Sequence, residues 1–284
     1  MTVLEVITRS TDFLTKKGVD SPRLQTELLL AHVLQLPRMQ LYLQFERQLT
    51  ETELNLLRAL VQRRGQREPL QHLTGSTSFC GFEIVVNRNV LVPRPETELL
   101  AESGWLFLRN LNSTPACALD LGTGSGCLAI ALAAKCPTAK IVATDVSDDA
   151  LKTARQNAAT NQAGKSIEFR QGDKFNALRT DESFDLIISN PPYIPTAEIE
   201  TLQVEVREYD PHRALDGGAD GLDFYRYLAA NAAPHLNPGG KIMLEFGAGQ
   251  AAALREIFSS QNWTNLTIHK DYSGLERILI ADRG

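Results

Sequence analysis

At 284 residues the chain is long enough for one large domain or two smaller ones. Its 43% hydrophobic and 22% charged residues suit an ordinary globular protein, and a net charge of −5 argues against a protein that relies on attraction to phosphates. No apolar run approaches the ~18 uncharged residues of a membrane span, and the charge-broken start does not read as a signal peptide.

The first part reads as helices. In "TVLEVITRSTDFLTKKG" apolar residues recur at Val3, Ile7 and Leu14, and Gly18 stands as a stop. Ser21-Pro22 reads as a cap and first-turn pair for a second helix, with Leu24, Leu28 and Ala31 on one face and Pro37 closing the segment. Thr50 and Glu53 fit a capping box ahead of "LNLLRALVQRR", which Gly65 ends. The expectation is a small helical domain over 1–75. It carries ten basic and eight acidic residues against nineteen and twenty-six in the remaining 209, so neither part is a basic module.

From "STSFCGFEIVVNRNVLVPRPETE" the pattern changes. Phe82, Ile84 and Val86 alternate, and "NRN" reads as a turn, so residues 76–92 are expected to form a connecting hairpin. Over 93–284, strand-like "ACALDL", "KIVATD", "SIEFR", "FDLIIS" and "GGKIMLEF" are interleaved with helix-like "GCLAIALAAK", "DDALKTARQNAATN" and "QAAALREIFSS". That alternation predicts an α/β fold with a parallel sheet. The end, "TNLTIHKDYSGLERILIADR", has two strand-like runs around Tyr272-Ser273-Gly274 and no helix between them, hence an antiparallel edge.

"LDLGTGSGCLAIAL" places Gly122, Gly124 and Gly126 between a strand and a helix, where backbone N–H groups can approach a ligand. Asp145 ends the next strand nineteen residues after Gly126, where a carboxylate can hold both hydroxyls of a ribose. Asp173 follows the third strand, in a place suited to an adenine amine. The GxGxG spacing is one residue shorter than the dinucleotide fingerprint, and no site for a hydride acceptor is evident. Asp120, just before the glycines, either braces the loop or helps a cationic ligand electrostatically, and the two roles are compatible. The ligand expected is S-adenosyl-L-methionine.

"SNPPYIP" ends the fourth strand. An amide nitrogen is a poor nucleophile because its lone pair is shared with the π system. An enzyme that methylates it must hold the NH2 by two acceptors. Asn190 offers a side-chain oxygen, and Pro191 offers a carbonyl with no N–H to compete. Each proline also restricts the residue before it, and Tyr193 is expected to stack on the planar group. Alignment of the reacting atoms can contribute as much as ~7–11 kcal/mol, so a strong general base is not required.

The ordered motifs "LVPRPETE", "DLGTGSG", "ATDVS", "SNPPYI", "REYDPHRALDGGADGLDFYR" and "KDYSGLERIL" resemble the release-factor glutamine methyltransferases (the PrmC/HemK family) over nearly the whole chain. The resemblance implies a seven-stranded Rossmann-like class I methyltransferase sheet and a helical N-terminal domain that seats the protein substrate. It implies N5-methylation of the glutamine in the Gly-Gly-Gln motif of peptide chain release factors. Carried over by position, Gly122, Thr123, Gly124, Ser125, Gly126, Asp145, Asp173, Lys174 and Asn190 meet the cofactor. Asn190, Pro191, Pro192 and Tyr193 bind the glutamine side chain, with Asn190, Pro191 and Tyr193 as the catalytic set. Lys174 stands where the family often has an aromatic. "PRPETE", Pro93 to Glu98, is either a cap near the donor or a proline turn that starts a helix.

NPPY is shared with adenine-N6 DNA methyltransferases, which would want a basic cleft and a target-recognition domain. A non-catalytic binding module on the same scaffold has no physical need for both the glycine loop and NPPY. Cys80, Cys117, Cys127 and Cys136 form no CxxC pair, so reduced thiols and a cytoplasmic location are expected. The five histidines lack paired metal-ligand spacing, and no metal is expected. Arg207, Asp210 and Arg213 either line a substrate entrance or form a solvated, salt-bridged loop, and "RRGQRE" reads as a solvated helix end.

Overall fold

The structure is a computed structural model and describes residues 1–111 and 115–283. It divides into two compact units, Met1–Ser76 with Gln203–Tyr209, and Thr77–Leu202 with Asp210–Gly284. No local pattern announces that residues 203–209 group with the helical unit.

The helical unit is built from α1 (Val3–Lys16), α2 (Pro22–Leu34), α3 (Glu51–Gly65) and the short α4 (Leu70–Thr74). Both α1 and α3 start with a reciprocal capping box, Thr2 with Glu5 and Thr50 with Glu53, which satisfies backbone donors that the first turn leaves without partners. Val3, Ile7 and Leu14 are buried as their spacing predicts. The second helix departs from expectation. Pro22 holds its first turn, but Ser21 sits at φ 47° and its side chain makes no capping bond. Its buried face is Thr26, Glu27, Leu29, Leu30 and Ala31, while Leu24 is exposed. The buried Glu27 carboxylate accepts from Arg23, Arg38 and Tyr42, so burying it leaves no unanswered charge.

A half-buried carboxylate in this unit is Glu205, on the helical turn Val204–Arg207. Arg67 grips it at 2.6 and 2.7 Å and Arg64 at 2.7 Å. Burial works against ionising Glu205, yet hydrogen bonds from Arg67 and Arg64 outweigh it and hold the carboxyl below its ordinary range. Glu205→Ala leaves two guanidinium groups without their shared partner, one of them on the buried Arg64. The expected result is a loss on the order of 3 kcal/mol, read from urea denaturation of the purified variant, and an unchanged midpoint would refute it.

The second unit opens with a hairpin, β1 (Ser76–Phe79) and β2 (Phe82–Val85). Its turn is Cys80-Gly81, with φ 50° and 83°, and not the later "NRN". Positive φ at both central residues matches the right-handed twist of the flanking strands, which a Gly at the second position makes accessible. After α5 (Pro95–Arg109) come β3 (Cys117–Leu121), α6 (Cys127–Lys135), β4 (Lys140–Asp145), α7 (Asp148–Thr160), β5 (Ile167–Gln171) and β6 (Phe184–Ser189). The remaining elements are α8 (Asp223–Asn231), β7 (Leu236–Glu245), α9 (Ala251–Ser259), β8 (Thr264–Lys270) and β9 (Glu276–Asp282).

The sheet is seven-stranded with order β5-β4-β3-β6-β7-β9-β8. The first five run parallel, and β9 pairs antiparallel with both β7 and β8. Central strands such as "ALDL" and "LIIS" are buried from end to end, as a sheet covered on both faces requires. One apolar cluster, with Leu100, Ile130 and Leu132, lies on one face, and another, with Tyr225, Phe246 and Phe258, lies on the other. The strand order reverses between β4 and β6 around β3, so the ends of β3, β4 and β6 bound the crevice where such sheets bind ligands.

Candidate active site

At that crevice the second unit holds a cavity of about 770 Å³. The end of β3 supplies the glycine loop, whose Gly122, Thr123, Gly124 and Ser125 line it. Gly122 and Gly124 have φ of 77° and 53°, and nothing lies within 4 Å of where a side chain would project. The backbone conformation demands glycine there, and the open space leaves room for a ligand to approach. Gly126 has a different task. It does not line the cavity, and a side chain on it would stand 3.0 Å from the Ala154 methyl on α7.

Asp120 is fully buried beneath this loop. Thr123 donates to its Oδ2 at 2.6 Å and the Ala129 N–H at 3.1 Å, so the carboxyl ties the loop to α6. Its Oδ1 is buried without a partner. Burial pushes the acid up to about 7, against the pull of those two donors.

Asp145, at the end of β4, also lines the cavity. It accepts from the Gly124 N–H at 2.9 Å and from the Ser147 N–H at 2.9 Å, one on each oxygen. Each oxygen keeps a lone pair for a ligand hydroxyl. Asp173 and Lys174 stand beyond β5 at the same cavity. Lys174 adopts φ 52°, and its Nζ lies 4.4 Å from the Tyr227 ring centre and 5.7 Å from that of Phe224, itself a lining residue. The aromatic wall next to Asp173 therefore comes from α8, which no pattern around residue 174 indicates.

Asn190, Pro191 and Pro192 follow β6 and line the cavity wall. Ser189 fixes the start of the loop by donating to the Leu121 carbonyl at 2.6 Å. Further on, the loop pairs with residues 215–218, with Ile194 N–H on the Leu215 carbonyl and Gly217 N–H on the Ile194 carbonyl, both at 2.9 Å. Gly221 passes so close that a side chain would stand 2.3 Å from the Tyr193 carbonyl oxygen. The DGGADG stretch is thus the bed on which NPPY lies. Tyr193 packs against the apolar cluster of the α8 face and does not line the cavity. Burial raises its phenol to about 12.

The PRPETE segment does reach the cavity, but its contact through Thr97 to Glu245 is one that no motif indicates. Thr97, in the first turn of α5, lines the cavity. Its hydroxyl lies 2.6 Å from Oε2 of the buried Glu245 and 3.3 Å from Nδ2 of Asn190. Pro93 and Arg94 from the same PRPETE segment also line the cavity. Arg94 donates to Asp210 at 2.8 Å, Arg213 lines the cavity, and Arg207 pairs with Glu208 in the helical unit. Among the described residues no cluster of His, Cys, Asp and Glu could hold a metal ion, and the four cysteines are free.

Residues 5–75 match the PrmC N-terminal domain and residues 100–206 the methyltransferase small domain. The chain is 44% identical to the release factor glutamine methyltransferase of Geobacter sulfurreducens, covering 98% of this chain and 95% of that protein. It is 42% identical to the one from Chlorobaculum tepidum, over 97% and 95% respectively. The chain belongs to the release factor glutamine methyltransferase family. A methyltransferase structure from Pyrococcus furiosus, 24% identical, superposes with a TM-score of 0.53 over 73% of this chain and 91% of that one, a likeness of fold. Among release factor glutamine methyltransferases, then, this one is an enzyme whose glycine loop, Asp145 and Asn190-Pro191-Pro192 line one cavity at the carboxyl ends of its strands.

Proposed function

We propose that this chain transfers a methyl group from S-adenosyl-L-methionine to N5 of the glutamine in the Gly-Gly-Gln motif of peptide chain release factors. It does so in the cytoplasm, with no nucleic-acid substrate and no membrane attachment. No helix among the described residues is long and apolar enough to cross a membrane. The domain over 1–75 seats the protein substrate, the hairpin over 76–92 connects, and residues 93–284 carry the transfer. The observation that carries the reading is the Asn190 carboxamide at the cavity wall. Its NH2 end is engaged by Thr97 and by Glu245, which leaves Oδ1 for a substrate NH2.

The donor's fit rests on the open glycine cradle at Gly122 and Gly124 and on the Asp145 lone pairs beside it. When bound, it supplies a methyl carbon on a positively charged sulfur, which loses that charge as the methyl departs. Asn190 Oδ1 and the Pro191 carbonyl each take one N–H of the substrate amide, turning its lone pair toward the cavity. With the donor bound, transfer would break its sulfur–carbon bond as the carbon–nitrogen bond forms, and the nitrogen would release one proton to solvent. Tyr193, held up to about 12, keeps its proton near neutral pH and is no base.

The test is mass spectrometry of a folded release factor after incubation with enzyme and donor. One added methyl on the Gly-Gly-Gln glutamine supports the proposal. Labelling of duplex DNA adenine instead, or of neither substrate, overturns it.

A further inference from the structure

We infer that Thr97 and Glu245 are positioning residues that fix which end of the Asn190 carboxamide faces the cavity. The inference rests on the reading of Asn190 as the substrate-amide acceptor. Three elements converge on this point. Thr97 belongs to α5, Asn190 follows β6, and Glu245 ends β7, the strand beside β6 where Ser189 pairs with Leu244. Thr97 and Glu245 are each only 2% exposed, so solvent does not compete for their hydrogen bonds.

The chemistry of the donors sets the direction of the chain. A threonine hydroxyl has one hydrogen to give and lone pairs to receive. Once ionised, Glu245 only accepts, so in that state the Thr97 hydrogen goes to Oε2 at 2.6 Å. The Thr97 oxygen then has only acceptor capacity left for Asn190, 3.3 Å away. A carboxamide offers NH2 at one end and oxygen at the other, and only NH2 satisfies an acceptor. Nδ2 is drawn to Thr97 and Oδ1 is left toward the cavity. With the relay reversed, Asn190 would present NH2 to the substrate NH2, donor against donor, and no grip would form. The Glu245 side chain also takes a hydrogen bond from Asn190 itself, which draws the same NH2 end away from the cavity, and its backbone carbonyl accepts from the buried Tyr225 hydroxyl at 2.7 Å.

Two substitutions break the relay differently. Thr97→Val keeps the shape and removes the hydroxyl. Glu245→Gln keeps the length but introduces a donor that permits the reversed chain. Each should lower kcat by on the order of 10²-fold, the scale of a misdirected reactive group, while donor affinity by calorimetry stays close to the parent; Thr97→Val also lowers the melting temperature, because a buried Glu245 oxygen loses its donor. Thr97→Ser, which restores the hydroxyl, should recover most of what Thr97→Val loses. Asn190→Ala is assayed alongside. A fully active Asn190→Ala overturns the reading of the site and the relay with it. An inactive Asn190→Ala beside a fully active Thr97→Val or Glu245→Gln overturns the relay alone. So does a loss of donor binding equal to the loss of kcat in both variants, since that reports a collapsed cavity and not a misdirected amide.

Discussion

Replacing Asn190 by alanine is expected to reduce turnover by on the order of 10²–10³-fold with little change in donor affinity. The asymmetry follows from what the side chain touches. In the proposed reading its Oδ1 receives the substrate NH2, while the donor is held by the glycine loop and Asp145, which line the cavity from the ends of other strands. As the amide nitrogen gives up its lone pair it becomes positive, and an acceptor on each N–H stabilises that charge more in the transition state than in the ground state. Losing one acceptor also leaves the planar group free to turn about the Pro191 contact. Asn190→Asp does not rescue. It keeps an acceptor but has no NH2 for Thr97, and it adds a carboxylate next to the buried Glu245. The measurement is single-turnover methylation at saturating donor, paired with calorimetry. Parent-like turnover in Asn190→Ala sinks the assignment, and a parallel collapse of donor affinity moves Asn190 from substrate grip to donor binding.

The parts of this site legible in the sequence are those whose physics is local. A glycine loop must lie between a strand and a helix within a few residues, an acid at the next strand end follows from the same unit, and NPPY is contiguous. The alternation of strand and helix patterns likewise leads to the sheet, including its antiparallel edge at β8 and β9. What escapes is what depends on contacts between distant segments. Thr97 and Glu245 lie 148 residues apart, and each alone looks like an ordinary helix-start or strand residue. Phe224 reaches the Asp173 end of the cavity from a helix that no spacing links to it. The errors in the helical unit have the same origin. Tertiary packing turned α2 so that Leu24 faces solvent and Thr26 faces the core, against a three-and-four count taken from Leu24. At Ser21 a left-handed backbone overrode the usual capping geometry. The hairpin turns at Cys80-Gly81 and not at "NRN", because a two-residue turn needs positive φ, for which a glycine is a better sign than a polar run.

Stability of the ligand-free protein should fall as pH rises from about 5 to about 8, a direction set by buried acids and not by the paired surface ones. Burial holds Asp120 up to about 7 from an ordinary 3.8, with nearby Asp145 adding to the effect and Thr123 and Ala129 opposing it. Burial likewise holds Glu245 up to about 7 from 4.5, with Glu96 adding and Thr97, Arg277 and Asn190 opposing. Asp210 rises to about 6 by the same cause, against Arg94. In each case the folded state binds the proton more tightly than the unfolded chain. The favourable contribution is therefore complete below the unfolded value, near 4, and is lost as pH climbs through the folded value near 7. At about 1.4 kcal/mol per pKa unit, each of the two most buried acids accounts for a few kcal/mol. The acids with lowered values, such as Glu53 and Glu182, stay ionised across this window and add no slope. Urea denaturation at steps between pH 5 and pH 8 measures the trend. In Asp120→Asn the amide oxygen still accepts from Thr123 and Ala129, so the loop keeps its brace while the titration disappears. That variant should start less stable at pH 5 and lose less on the way to pH 8. Stability that stays flat or rises across the range in the parent would mean that Asp120 and Glu245 titrate in the folded state as they do in the open chain.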